Sequence, residues 1–116
     1  MVYHSGEQKN ENRENARGGS GVINFHHFVE GQGKTQSNTN LLARLTLPPG
    51  ASIGYHCHTG ETEFFLFLEG RGLVSDDGVE KAVGPGDVMV TGGGASHSVT
   101  NNGSSPLCLI AVIIKD

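Results

Sequence analysis

The sequence predicts an all-β chain, a sandwich or barrel of short antiparallel strands. Three observations carry that prediction. Short runs rich in β-branched and aromatic residues recur along the chain, each bounded by glycine, proline, asparagine or aspartate. Glycine is abundant, at 18 of 116 residues, well above its usual share of roughly 7%, as many tight turns require. No stretch carries a convincing helical period, so sheet packed on sheet is the architecture left.

Taken in order, residues 1–21 form a polar N-terminal arm. Residues 4–21 hold almost nothing to bury, so the arm is expected to be disordered or to order only against something else, such as a partner subunit. Residues 22–116 then make one β-barrel domain. Residues 22–29 are β-branched and aromatic enough for a strand. Gly31 to Gly33 and Ser37 to Asn40 are loop material. Residues 41–47 follow as a strand with Leu41, Ala43, Leu45 and Leu47 on one face. Pro48-Pro49-Gly50 ends it, because proline cannot donate to a ladder.

Residues 51–58 are the next strand, with Ser52, Gly54, His56 and His58 sharing a face. Residues 63–68 are apolar on both faces beyond Glu63, so both faces are expected to be covered. Asp76-Asp77-Gly78 is a hairpin signal between strands at 73–75 and 79–83. Gly84-Pro85-Gly86-Asp87 is a turn, with Asp87 a turn residue. Strands at 88–91 and 96–100 flank Gly92-Gly93-Gly94. Residues 107–114 are a continuous apolar strand, consistent with cover on both sides.

Bulk properties exclude several classes. The length allows one small domain with little surplus core. A formal charge of −4 with no basic stripe gives nucleic-acid binding no electrostatic support. No apolar run approaches the ~20 residues of a membrane span, and the polar first residues lack the apolar stretch of a secretory signal. Cys57 and Cys108 do not make a disulfide framework, so a reduced, cytoplasmic setting is expected.

Chemistry concentrates in two glycine-bracketed segments. His56 and His58 alternate along a strand, which points both imidazoles to one face. A carboxylate lies just downstream, at Glu61 or Glu63, and His97 sits on another predicted strand. Together they would form a mixed nitrogen and oxygen site for a divalent transition metal, with coordination positions left for water or substrate. Cys57 alternates away from its histidine neighbours and is expected to be packed. His26 and His27 are adjacent, so one should face in and one out, in a hydrogen-bonded structural role.

These segments resemble the paired motifs of the cupin superfamily. Gly50, His56, His58, Glu63 and Gly70 fit the first motif, and Gly86, Gly94, His97 and Asn101 fit the second. Gly92 stands where the family has proline, which frees the backbone ahead of His97. The resemblance runs from Leu41 to the C-terminus and leaves the arm outside. It implies a double-stranded β-helix, or jelly-roll barrel, with a metal inside its mouth. It implies His56, His58, Glu63 and His97 as ligands of one divalent ion per subunit, of the kind cupins hold: Mn, Fe, Ni, Co, Cu or Zn. Glu61 then becomes a solvated mouth residue.

Arg44 is a candidate substrate contact. If its face is the barrel interior, its guanidinium would bind a carboxylate or phosphate near the metal; otherwise it is an outward arginine. Phe65 and Phe67 share the face of Glu63 and either line an apolar pocket or fill the core. The functional expectation is a metal-dependent enzyme, of dioxygenase, decarboxylase or isomerase type, acting on a small molecule that carries a carboxylate. The alternative is a non-catalytic module that binds or senses a small ligand. The two-sided apolar strands and the unpartnered arm also predict a homodimer.

Overall fold

The computed structural model describes residues 1–29 and 37–116. Gly31 and Gly33, expected in a loop, lie outside the described residues. The strands are β1 (Lys9–Glu14), β2 (Val22–His27), β3 (Thr39–Leu47), β4 (Ser52–Cys57), β5 (Glu61–Glu69), β6 (Gly72–Asp76), β7 (Val79–Val83), β8 (Val88–Gly92), β9 (Ser96–Thr100) and β10 (Leu107–Lys115). Two short 3-10 turns, Ser5–Glu7 and Ala16–Gly18, are the only helical pieces among the described residues. One sheet runs β1-β2-β3-β10-β5-β8 and faces a second that runs β4-β9-β6-β7. All pairings are antiparallel. This is the expected all-β jelly-roll.

The core follows the period-two pattern of the sequence. In β3, Leu41, Ala43, Leu45 and Leu47 are buried; in β10, Leu107, Leu109, Ala111 and Ile113 are buried; in β5, Phe65 and Phe67 are. Each fully buried leucine or phenylalanine is worth about 1.5–3 kcal/mol over its exposed state. Asn101 ends β9 inside this core. Its amide donates to the carbonyls of Leu47 (2.9 Å) and Ser105 (2.8 Å), which ties the loop before β10 to the end of β3.

The chain by itself does not cover the outer faces of β5 and β10: Leu66 and Leu68 are exposed, Phe64, Ile110 and Val112 half-buried. No second layer of the described chain lies over that side of the six-stranded sheet. The arm is also not loose. Lys9–Glu14 pairs along its whole length with β2 of the same chain. Polar residues suffice because the cross-strand contacts are themselves polar: Asn24 donates to Asn12 (3.0 Å), and His26 reaches Asn10 and Gln8. His27 faces inward and donates to Glu11 at 2.9 Å. The two adjacent histidines therefore face opposite ways, hydrogen-bonded as expected.

Beyond β1 the arm crosses from the large sheet to the small one. Ser20 and Ser52 exchange backbone hydrogen bonds of 2.8 and 3.2 Å, at the free edge of β4. The approach is so close that a Cβ at Gly19 would collide with the Ser52 carbonyl, and one at Gly54 with the Arg17 carbonyl. Glycine is required at both places by contact, not by φ.

Candidate metal centre

The site is built where the two sheets meet at one end of the barrel. The β4–β9 register opposes His56 and His97, placing both imidazoles on the same inward face. An irregularity between Ile53 and His56 re-aims the end of β4. His58 follows that strand. Its N–H donates to the Ala95 carbonyl and its carbonyl accepts from Gly94, so the loop before His97 is tied to the histidine it must meet. Glu63 comes from the facing sheet, on β5. Any bound ion would therefore join the two sheets.

The loop before His97 carries the Gly92 departure. It is held by the bonds to His58 rather than by a proline ring. A Cβ at Gly92 would collide with Thr62 Oγ1 at 2.6 Å, so glycine lets β8 close against β5 there.

Four donor atoms converge. The Nε2 atoms of His56, His58 and His97 lie 3.0, 3.0 and 3.2 Å apart. Glu63 Oε1 is 3.0 Å from the Nε2 of both His58 and His97. All four ligand atoms fall within 4.8 Å of one another. His58, Glu63 and His97 are buried and His56 half-buried. Three imidazole nitrogens cannot satisfy one another as hydrogen-bond partners when each presents a lone pair. A cation at their centre can. The mixed nitrogen and oxygen donor set, with its atoms this close together, therefore fits one divalent transition metal.

The outer ring nitrogens support this. His56 Nδ1–H donates to the Gly54 carbonyl (2.6 Å), His58 Nδ1–H to Glu61 (2.7 Å) and His97 Nδ1–H to Thr91 Oγ1 (2.8 Å). That tautomer turns every Nε2 lone pair inward. Phe65 stacks on His97, with centroids 4.9 Å apart and planes 18° from parallel, which fixes the ring's tilt.

Electrostatics agree. Burial pushes His56 below its usual value despite the Gly54 contact. Glu63 raises His58, with Glu61 adding to it against desolvation. Burial alone would raise Glu63, but the contacts with His58 and His97 win and hold it ionised. A charged His58 would donate from both ring nitrogens, and a bound divalent ion would stand in place of its Nε2 proton.

Next to the cluster is a cavity of about 110 Å³. Its walls are apolar: Phe25, Leu41, Leu45, Ile53, Phe65 and Ile113. His56, His58 and Glu63 form one polar part of its lining, and Arg13 and Arg17 form another. Phe65 thus lines the pocket, while Phe67 is core. The pocket arginines come from the arm, which sequence reasoning sets outside the site. Arg44 is exposed and does not line the cavity. It alternates with the buried Ala43 and Leu45, so it can only face out.

Glu61, expected in solvent, instead orients His58. The signal is its position three residues after a ligand, but only the folded turn shows the contact. Cys57 points away from the cluster as expected, yet it is exposed rather than packed, with its thiol donating to the Gly94 carbonyl (3.1 Å). Asp87 accepts the Gly84 N–H at 2.8 Å, as a turn residue should.

Comparison with known proteins places this geometry. A family model described as a cupin domain matches residues 43–113. The oxalate-binding protein of Thermotoga maritima is 40% identical over 114 residues, covering 98% of this chain and 93% of that one. The crystal structure of a predicted oxalate decarboxylase (tm1287) from Thermotoga maritima aligns with a TM-score of 0.91 at 39% identity over the whole of both chains. The TT1209 protein from Thermus thermophilus aligns with a TM-score of 0.64 at 31% identity, covering 70% of this chain and 77% of that one. No helix among the described residues is long and apolar enough to cross a membrane.

Proposed function

This chain belongs to the cupin family, and on that premise we propose that it is a metal-binding cupin that holds a small carboxylate anion against the ion in its cavity. The convergence of three Nε2 atoms and one carboxylate oxygen, each imidazole pinned from behind, carries the metal half of this reading. The carboxylate half is supported by the similarity to a protein named for oxalate binding. The cavity volume of about 110 Å³ is well below the roughly 300–1,000 Å³ of pockets for drug-sized ligands. When bound, the metal supplies positive charge and open positions for an anionic oxygen.

Binding is favoured over turnover by what lines the cavity. Decarboxylation or isomerisation calls for a group that delivers or removes a proton. Among the described lining residues, His56, His58 and Glu63 are committed to the cluster, and arginines stay protonated. Glu61 is engaged by His58. The decarboxylase and isomerase readings therefore stand second.

Elemental analysis of protein purified without a His-tag tests the site. Wild type should carry stoichiometric divalent metal, and His58→Ala should lose it while keeping its β-sheet circular dichroism. Full metal retention in His58→Ala would mean the ligand assignment is wrong. Oxalate added to loaded protein should bind without releasing formate; formate accumulation would move the reading to an enzyme.

We also propose that two copies pair through the outer face of the six-stranded sheet. The cross-strand rows Leu42–Val112–Phe64–Val90 and Arg44–Ile110–Leu66–Val88 form one apolar surface with Arg44 in one corner. Val88 and Val90, 59% and 54% exposed, extend that surface to the edge strand β8. Sedimentation at micromolar concentration should give a dimer, and Val90→Lys should give a monomer. A monomeric wild type would end this proposal.

A further inference from the structure

The arm places two arginines at the cavity, and their circumstances differ. The Arg13 guanidinium lies 4.2 Å from the centroid of the Phe25 ring and is bound to Glu11 at 2.9 Å. Its charge is already matched. Arg17 has no ion pair among the described residues, although it lines the same cavity and its charge bears on His56. Its backbone is held at φ 53°, ψ 33°, a left-handed conformation that an arginine adopts only at a cost. The surrounding contacts enforce it. Gly54 has no side chain to keep the Arg17 carbonyl off β4, and Ser20 is hydrogen-bonded to Ser52 just beyond. An unpaired cation is thus held by strained backbone at the edge of an apolar cavity whose other polar part is the metal cluster.

Two polar parts of the lining can each take an anionic group. One is the His56, His58 and Glu63 cluster, once it holds a divalent ion; the other is Arg17, since Arg13 is already matched by Glu11. The walls between are Leu, Ile and Phe side chains, which cannot stabilise a charge. A ligand that satisfies both parts of this cavity is therefore compact, with an anionic group at each end.

We propose that Arg17 is the specificity residue of this site, binding the second carboxylate of a short dicarboxylate whose first carboxylate faces the metal centre. This rests on the metal-centred reading above. It adds that the site is complete only with the arm docked, and that charge number selects the ligand. A guanidinium fork suits the two oxygens of a carboxylate.

The test uses full-length protein loaded with Co²⁺, whose visible absorption reports anions at the metal. Oxalate, malonate and acetate are titrated into wild type, Arg17→Gln and Arg17→Lys. Arg17→Gln should weaken oxalate and malonate by about ten- to a hundredfold, the usual loss for a hydrogen bond to a charged group. Acetate should be unchanged, and Arg17→Lys should recover part of the dicarboxylate affinity. The melting midpoint should not move, since Arg17 is exposed. Equal loss for acetate and the dicarboxylates, or no loss for either, would overturn the Arg17 assignment while leaving the metal-centred reading intact. A wild-type spectrum that responds to none of the anions would overturn the metal-centred reading, and the assignment with it.

Discussion

The ligand cradle and the arm that crosses beside it are built on opposite principles. The cradle is made from strands of two sheets whose inner faces are apolar and buried. Its four donors are held by strand register, by three outer hydrogen bonds and by a stacked phenylalanine. The arm is a polar edge strand and a strained turn. It docks through the backbone ladder of β1 with β2, side-chain hydrogen bonds, one shared carboxylate and contacts that only glycine permits. The two parts of the cavity lining thus come from segments of unequal footing, one inside the core and one on an edge strand at the surface.

That contrast can be broken at the arm alone. Gly19→Ala should have the larger effect. Its methyl group meets the Ser52 carbonyl of β4, and neither backbone can yield cheaply. Overpacking of this kind costs about 1–3 kcal/mol. Hydrogen exchange should speed up across residues 9–19, while metal content and the protection of β10 stay at wild-type level. Loss of metal together with the arm would show that the two regions are one cooperative unit.

Acid should have the smaller effect. Glu11 is shared by Arg13 and His27, and they lower its carboxyl from 4.5 to about 2. A depressed folded pKa means that the contribution to stability is fully present above the unfolded value and fades as pH falls towards the folded one. Protection factors in β1 should therefore drop between about pH 4.5 and pH 2, and Glu11→Gln should flatten that dependence. The Glu11 side chain is 41% exposed, so solvent screening keeps the effect modest. An unchanged pH profile in Glu11→Gln would show that other contacts hold the arm.

The cradle was legible because strand alternation is a strong rule. His56, His58 and His97 fall on or beside predicted strands, and the motif spacing selected Glu63 over Glu61. What escaped was everything that depends on a turn or on a distant neighbour. Glu61 finds His58 only because the chain between them bends back. Arg13 and Arg17 reach the cavity only because β1 pairs with β2 and the next turn crosses to β4. Arg44 was the arginine the sequence offered instead, since its strand carries leucines on both sides of the alternation.

By itself, the sequence determined the all-β architecture, the period-two core and, through the resemblance of its motifs to those of cupins, the residues of the candidate metal cluster. These depend on local periodicity and on residue types at short, regular spacing, which a chain carries before it folds. Tertiary structure alone decided which arginine faces the cavity, what pins each imidazole and where the polar arm lies. Those outcomes rest on contacts between residues tens of positions apart, and on glycines whose role is to be absent from a collision. Such steric complementarity leaves no periodic mark in the sequence.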